Sequence, residues 1–257
     1  MPTEDAFDLS DKRALVTGGT RGIGAAIAKE LAEAGAEVVL TGRRQEVAEA
    51  AADEIVEAGG LAAGLAYDAA APAAGAALID TIGARWDHLD ILVNNAAILR
   101  PHVVEKLHED EFDEIFAINT KAALFLCKHA LPLLRKGGDA AVVNLTAACA
   151  HRAMAGIGAY CASKAAMISF TSTLAQEWAR HGIRVNALTP GSVATDMILP
   201  RDESRRAEFE KEMAEQNLMK RLAEPREIAR AVRFLVSPAA SFMTGQTLIV
   251  DGGLLTC

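Results

Sequence analysis

No apolar run in this chain approaches the ~18 residues that a membrane-spanning helix needs, so no bilayer span and no membrane partner are expected. There is no excess of basic charge. Lys and Arg number 26 against 34 Asp and Glu, giving a net charge of −8 and a pI near 5.3. An acidic balance of this size argues against nucleic-acid or anionic-membrane partners. Cysteine is scarce, and Cys127, Cys149, Cys161 and Cys257 show neither metal-ligand spacing nor a pairing pattern. No metal site is expected, and reduced thiols in a cytoplasmic protein are the simplest account. The acidic start, Met1-Pro2-Thr3-Glu4-Asp5, has no signal-peptide core, which points the same way. No linker and no internal repeat divides the sequence, so residues 1–257 are expected to form one domain.

What the chain has is 51% hydrophobic residues, arranged as short apolar runs alternating with helix-like stretches. Strands are expected at Ala14-Leu15-Val16, Val38-Val39-Leu40, 61–67, within 88–93, at 140–145, 183–188 and Leu248-Ile249-Val250. Helices are expected from Ala25, over 45–58, 71–85, 109–135 with a break near Pro132, 158–181 and 225–236. The charged segment 201–221 reads either as a cover over the cleft or as a solvated helix pair. Strands alternating with helices predict βαβ units and a doubly wound parallel α/β sheet of about seven strands with helices on both faces. In such sheets ligands bind beyond the carboxyl ends of the strands.

Each strand end is therefore read for chemistry. After the first comes Thr17-Gly18-Gly19-Thr20-Arg21-Gly22-Ile23-Gly24, a glycine-rich turn opening a helix. Free backbone N–H groups and the positive end of the helix dipole make this a phosphate site. After the second strand, Gly42-Arg43-Arg44 stands where a dinucleotide's ribose is expected. An acidic residue there would accept a 2′-hydroxyl, whereas Arg43, with Arg21 from the first loop, suits a 2′-phosphate. NADP is thus favoured over NAD. Asp68 after the third strand is a candidate acceptor for an adenine amino group, and Asn95-Ala96 after the fourth lets backbone lie against a cofactor. Ordinary turn chemistry is the alternative for both. Tyr160 and Lys164 stand four apart, on one helix face. A phenol titrates ordinarily at about 10. A lysine ammonium and an oxidised nicotinamide would lower that value and fit Tyr160 for proton exchange with a substrate oxygen.

In combination and in order, these motifs resemble the short-chain dehydrogenase/reductase family in its single-domain form, from Asp11 to Gly253. The resemblance implies a Rossmann fold, a nicotinamide cofactor and commonly a homotetramer. Gly18, Thr20, Arg21, Gly22, Ile23 and Gly24 match its cofactor loop, and Asn94-Asn95-Ala96-Ala97 resembles its Asn-Asn-Ala-Gly turn with alanine in the last place. Asn119 matches the asparagine that supports a proton-relay water, and Tyr160 and Lys164 match the active-site pair. Pro190, Gly191, Val193 and Thr195 resemble the segment that holds the nicotinamide carboxamide. The four-residue spacing of Tyr160 and Lys164 speaks against the enoyl-reductase branch, which spaces the pair more widely.

The chain departs from the family at one position. Thirteen residues before Tyr160, where a serine usually donates to the substrate oxygen, stands Ala147. Three readings stay open: a serine replaced on purpose, another donor such as Thr146, Ser192 or His151, or a protein that binds dinucleotide as a regulatory or scaffold element without turnover. Thr146, His151, Arg152, Met154, Ile157 and Met197 are candidate substrate contacts, and His151-Arg152 would suit an anionic or polar substrate if it is not simply a solvated loop. The implied partner is a small carbonyl or alcohol.

Overall fold

The computed structural model describes residues 6–200 and 202–256. The strands are β1 (Arg13–Val16), β2 (Glu37–Gly42), β3 (Leu61–Ala66), β4 (Ile91–Asn94), β5 (Ala141–Leu145), β6 (Arg184–Pro190) and β7 (Thr247–Val250). All neighbours pair in parallel in the order β3-β2-β1-β4-β5-β6-β7. The order reverses between β1 and β4, which sets a crevice at their carboxyl ends.

The strands read as continuous apolar runs because both sheet faces are covered. Alternate side chains along one strand serve opposite layers. Val38 and Leu40 join a core with Ile27, Leu31, Ile55, Val232 and Leu235 from α1 (Gly22–Glu33), α2 (Gln45–Glu57) and α8 (Pro225–Val236). Val39 between them joins Ile82, Leu126, Leu134 and Trp178 on the other face, from α3 (Ala74–Arg85), α5 (Ala123–Gly137) and α6 (Gly158–Trp178). Gly64 is where α2 crosses β3. A Cβ there would lie 2.1 Å from the carbonyl of Ala48, so only glycine allows the approach.

Two expectations change. The break in the 109–135 helix lies not at Pro132 but earlier. The helix α4 (Glu109–Phe116) passes through a π-turn at Ala117–Ala122 into α5, and Pro132 sits inside α5. Proline removes one N–H to the carbonyl four residues back, and Lys128 and Pro132 are both on the exposed side of the helix, where losing that bond costs least. The charged segment forms one helix, α7 (Glu203–Glu215), with no buried residue, rather than a pair. Its first position, Arg201, lies outside the described residues. Among the described residues, no helix is long and apolar enough to cross a membrane.

Candidate active site

The glycine loop is built by its neighbours. Thr17 Oγ1 accepts from the backbone N–H of Asn95 at 3.0 Å and of Ala96 at 3.1 Å, and Asn95 Nδ2 donates to the carbonyls of Thr17 and Gly18, both at 2.9 Å. Asn95 is thus a clamp between the β1 and β4 loops, and its amide nitrogen is fully used there. A Cβ on Gly24 would meet Gly18 O at 2.1 Å, so the helix can begin this close to the turn only with glycine. The N-cap of α1 is Arg21, which makes no side-chain cap, and the first turn holds no acidic residue. Its amides remain available to an anion, so the residues fit a dinucleotide phosphate.

Arg21 and Arg43 are exposed at this edge. Arg44 is drawn to Glu46 at 3.3 Å, whereas no ion pair among the described residues engages Arg43. Thr20 packs under Gly42, where a Cβ would come within 2.5 Å of its methyl. Asp68 Oδ1 accepts from the N–H of Ala70 at 3.0 Å, so the turn role weighed for it is present. Across the crevice, Gly191 lies so close to Asp251 that a Cβ would stand 2.6 Å from its Cα, and Thr195 faces Gly22. Val193 pairs with Ala223. Of this segment, Thr195 is the residue that these contacts bring against the glycine loop, while Gly191 and Val193 pack on Asp251 and Ala223.

Tyr160 and Lys164 lie in the first two turns of α6, both buried. Lys164 Nζ donates to Leu145 O at 2.8 Å and stands 5.9 Å from the centre of the Tyr160 ring. The expected lowering of the tyrosine belongs to the pair together with an oxidised nicotinamide, and the free chain shows what burial does before the cofactor binds. Burial raises the Tyr160 phenol above its ordinary value, and the thiols of Cys149 and Cys161 push the same way. Burial also brings Lys164 down to about 8, with Cys149 opposing.

Asn119 lies in the π-turn. Its Oδ1 accepts from Ile98 N at 2.8 Å, and its Nδ2 donates to Ile98 O at 2.9 Å and Ser163 Oγ at 3.1 Å. Ser163 Oγ donates to Tyr160 O at 2.7 Å. The side chain therefore ties the segment after β4 to the turn that carries Tyr160, and π-turns often mark such functional positions.

Ala147 is extended, at φ −160° and ψ 155°, and packs with Met154, Ile157 and Leu99 against a cluster of Tyr160, Cys149 and Cys161. Leu99 and Cys149 were not anticipated as neighbours of the tyrosine, because only folding brings their loops together. The donors weighed in place of serine fare poorly. Thr146 turns away, donating to Leu188 O at 3.0 Å and meeting Thr189 Oγ1 at 2.6 Å. Ser192 lines a separate cavity with Asn217, Met219 and Asp251, whose walls include neither Tyr160 nor Ala147. His151 and Arg152 are exposed, and His151 Nε2 lies 3.0 Å from Thr189 Oγ1. Met197 is also exposed. A residue that sequence reading missed is His102, which bridges to Ile157 and whose ring nitrogens are buried without partners among the described residues.

Residues 18–255 match a family model described as Enoyl-(Acyl carrier protein) reductase. A short chain dehydrogenase/reductase of Aspergillus oryzae is 38% identical over 255 residues, covering 98% of this chain and 97% of that protein. A 3-oxoacyl-acyl-carrier-protein reductase of Vibrio cholerae is 38% identical over 249 residues, covering 96% and 99%. The crystal structure of a gluconate 5-dehydrogenase from Burkholderia cenocepacia, in complex with NADP and tartrate, superimposes with a TM-score of 0.92 at 33% identity over 98% of both chains. Matches of this extent, on a sheet of this order, mean that the chain belongs to the short-chain dehydrogenase/reductase family.

Proposed function

We propose that the protein is an NADP-dependent oxidoreductase that interconverts a secondary alcohol and a ketone, with Tyr160 as general acid/base. What supports this reading is a buried Tyr160–Lys164 pair, with Lys164 bonded to the carboxyl end of β5, in a parallel sheet whose β1 leads into an uncapped helix N-terminus at its own carboxyl end. When bound, NADP(H) supplies or accepts the hydride. The α1 amides would hold its pyrophosphate, Arg21 and Arg43 its 2′-phosphate, and Lys164 a ribose hydroxyl. Burial keeps Tyr160 protonated in the free chain, so it enters carbonyl reduction as the acid. Its Oη gives a proton to the substrate oxygen as that oxygen gains negative charge. Asn119 holds the Tyr160 turn through Ser163 and keeps one Oδ1 lone pair for a relay water. The apolar wall of Leu99, Met154 and Ile157 limits water around the tyrosine.

Other features support the remaining parts of this reading. The four-residue spacing favours carbonyl over enoyl reduction, whatever the matched model is called. The NADP in the Burkholderia structure agrees with Arg21 and Arg43. Half-exposed Phe112 and Phe125, on consecutive helices, suit a homotetramer. Free, buried Cys127, Cys149 and Cys161 suit a reducing cytoplasm.

The second reading, a catalytically weak dinucleotide-binding regulator, rests on Ala147. NADPH oxidation across a panel of ketones separates the two. Tyr160→Phe should keep cofactor affinity and lose about 10²–10⁴-fold in turnover, the usual worth of general acid/base catalysis. Unchanged turnover would remove Tyr160 from the mechanism, and a parent that only binds NADPH would favour the regulator.

A further inference from the structure

Three side chains join the carboxyl ends of β5 and β6 in a line. Thr146 Oγ1 lies 3.0 Å from Leu188 O and 2.6 Å from Thr189 Oγ1, and Thr189 Oγ1 lies 3.0 Å from His151 Nε2. Each hydroxyl has one proton to give. The line ends at a carbonyl, which only accepts. Thr146 therefore donates to Leu188 O, Thr189 donates to Thr146, and His151 Nε2–H donates to Thr189. Reversed, the line would set the Thr146 oxygen against the Leu188 carbonyl with no proton between them. Leu188 O also accepts from the Thr146 backbone N–H at 2.8 Å, so reversal would not orphan the carbonyl, but it would set two oxygens lone pair to lone pair 3.0 Å apart at the buried Thr146 and Thr189, where such repulsion is weakly screened.

This direction fixes the neutral imidazole with its proton on Nε2 and a lone pair on Nδ1, which has no partner among the described residues. His151 is exposed, four residues beyond Ala147, and Thr189 directly precedes Pro190-Gly191. We infer that His151 Nδ1 accepts a hydrogen bond from a substrate hydroxyl next to the reacting carbon, so that the preferred substrates are α-hydroxy ketones and vicinal diols. Neutral His151 is then not the donor that replaces the missing serine. Its role is to read a neighbouring hydroxyl. The inference rests on the oxidoreductase reading, and its test separates the two.

Reduction by NADPH is compared within two matched pairs, 3-hydroxybutan-2-one with butan-2-one and 2-hydroxycyclohexanone with cyclohexanone. The parent should favour the hydroxylated member of each pair in kcat/KM. His151→Phe should cut that preference about 5- to 10-fold, the worth of one net hydrogen bond. Thr189→Val, which frees the imidazole to change tautomer, should reduce it in part, and Thr189→Ser should restore it. A parent without the preference, or a preference that survives His151→Phe, overturns the inference. Nitrogen NMR of labelled histidine, assigned by the signal lost in His151→Phe, should show the Nε2–H tautomer, and an Nδ1–H tautomer overturns the inference independently of turnover. If the parent reduces none of the four ketones, the carbonyl-reductase reading is at fault, and the NMR result decides the tautomer alone.

Discussion

Lys164 gives the sharpest physical test. Its ammonium is buried in the free chain, and burial brings it from the usual 10.5 to about 8. Between those two values the unfolded chain binds more protons than the folded one, so stability rises with pH. At about pH 7 the charged lysine costs the fold about 3 kcal/mol, and at about pH 9.5 only about 1 kcal/mol, by linkage from the two values. The parent should therefore gain about 2 kcal/mol over that interval relative to Lys164→Met, which cannot titrate. The variant also loses the bond to Leu145 O. A neutral amine can still make that bond, so its loss is a pH-independent offset. Urea unfolding of both proteins at the two pH values, without cofactor, gives a double difference in which all other titrations cancel. A double difference near zero would refute the claim that burial dominates at Lys164. A negative one would show that an anionic partner holds the charge.

Arg43→Ala should weaken NADPH binding by about 1.5–3 kcal/mol, the worth of a charge-assisted contact to phosphate, and leave NADH nearly unaffected. Tighter NADH than NADPH binding in the parent would contradict the assignment. Ala147→Ser should raise single-turnover hydride transfer about 10²-fold or more if the pocket is already shaped for that hydroxyl. An unchanged rate in an active parent would mean that the protein works without it. Light scattering at micromolar concentration should report a tetramer, with a dimer as the smaller alternative, and a monomer would contradict both.

Much of the architecture was legible because periodicity and punctuation agree. Each apolar run is closed by glycine or polar turn residues, and burial on both sheet faces removes any need for polar alternation. Tyr160 and Lys164 were legible because i, i+4 spacing is a local property of a helix. What failed was non-local. Pro132 looked like a helix break, but whether a lost hydrogen bond matters depends on exposure, which sequence does not state. The π-turn at 117–122 has no composition of its own. The clamp that Asn95 forms was not legible, because its partners Thr17 and Gly18 lie 78 and 77 positions away. The burial that raises the Tyr160 phenol in the free chain was not legible, because Cys149, Ala147 and Leu99 pack around the tyrosine from loops that meet only in the fold.

The π-turn also bears on how such a site can be lost or gained. A π-turn spends one residue more than an α-turn over the same length of axis. Each residue of an α-helix advances the face by about 100°. Deleting one residue from 120–122 would restore a regular helix from α4 into α5. It would also swing α4 and Asn119 by about that angle relative to α5 and carry the amide off Ser163. Reinserting any residue would bring it back. The link between Asn119 and the Tyr160 turn is therefore encoded in chain length as well as in the side chains of Asn119 and Ser163. A one-codon deletion here should disable the site while leaving every residue named in it unchanged.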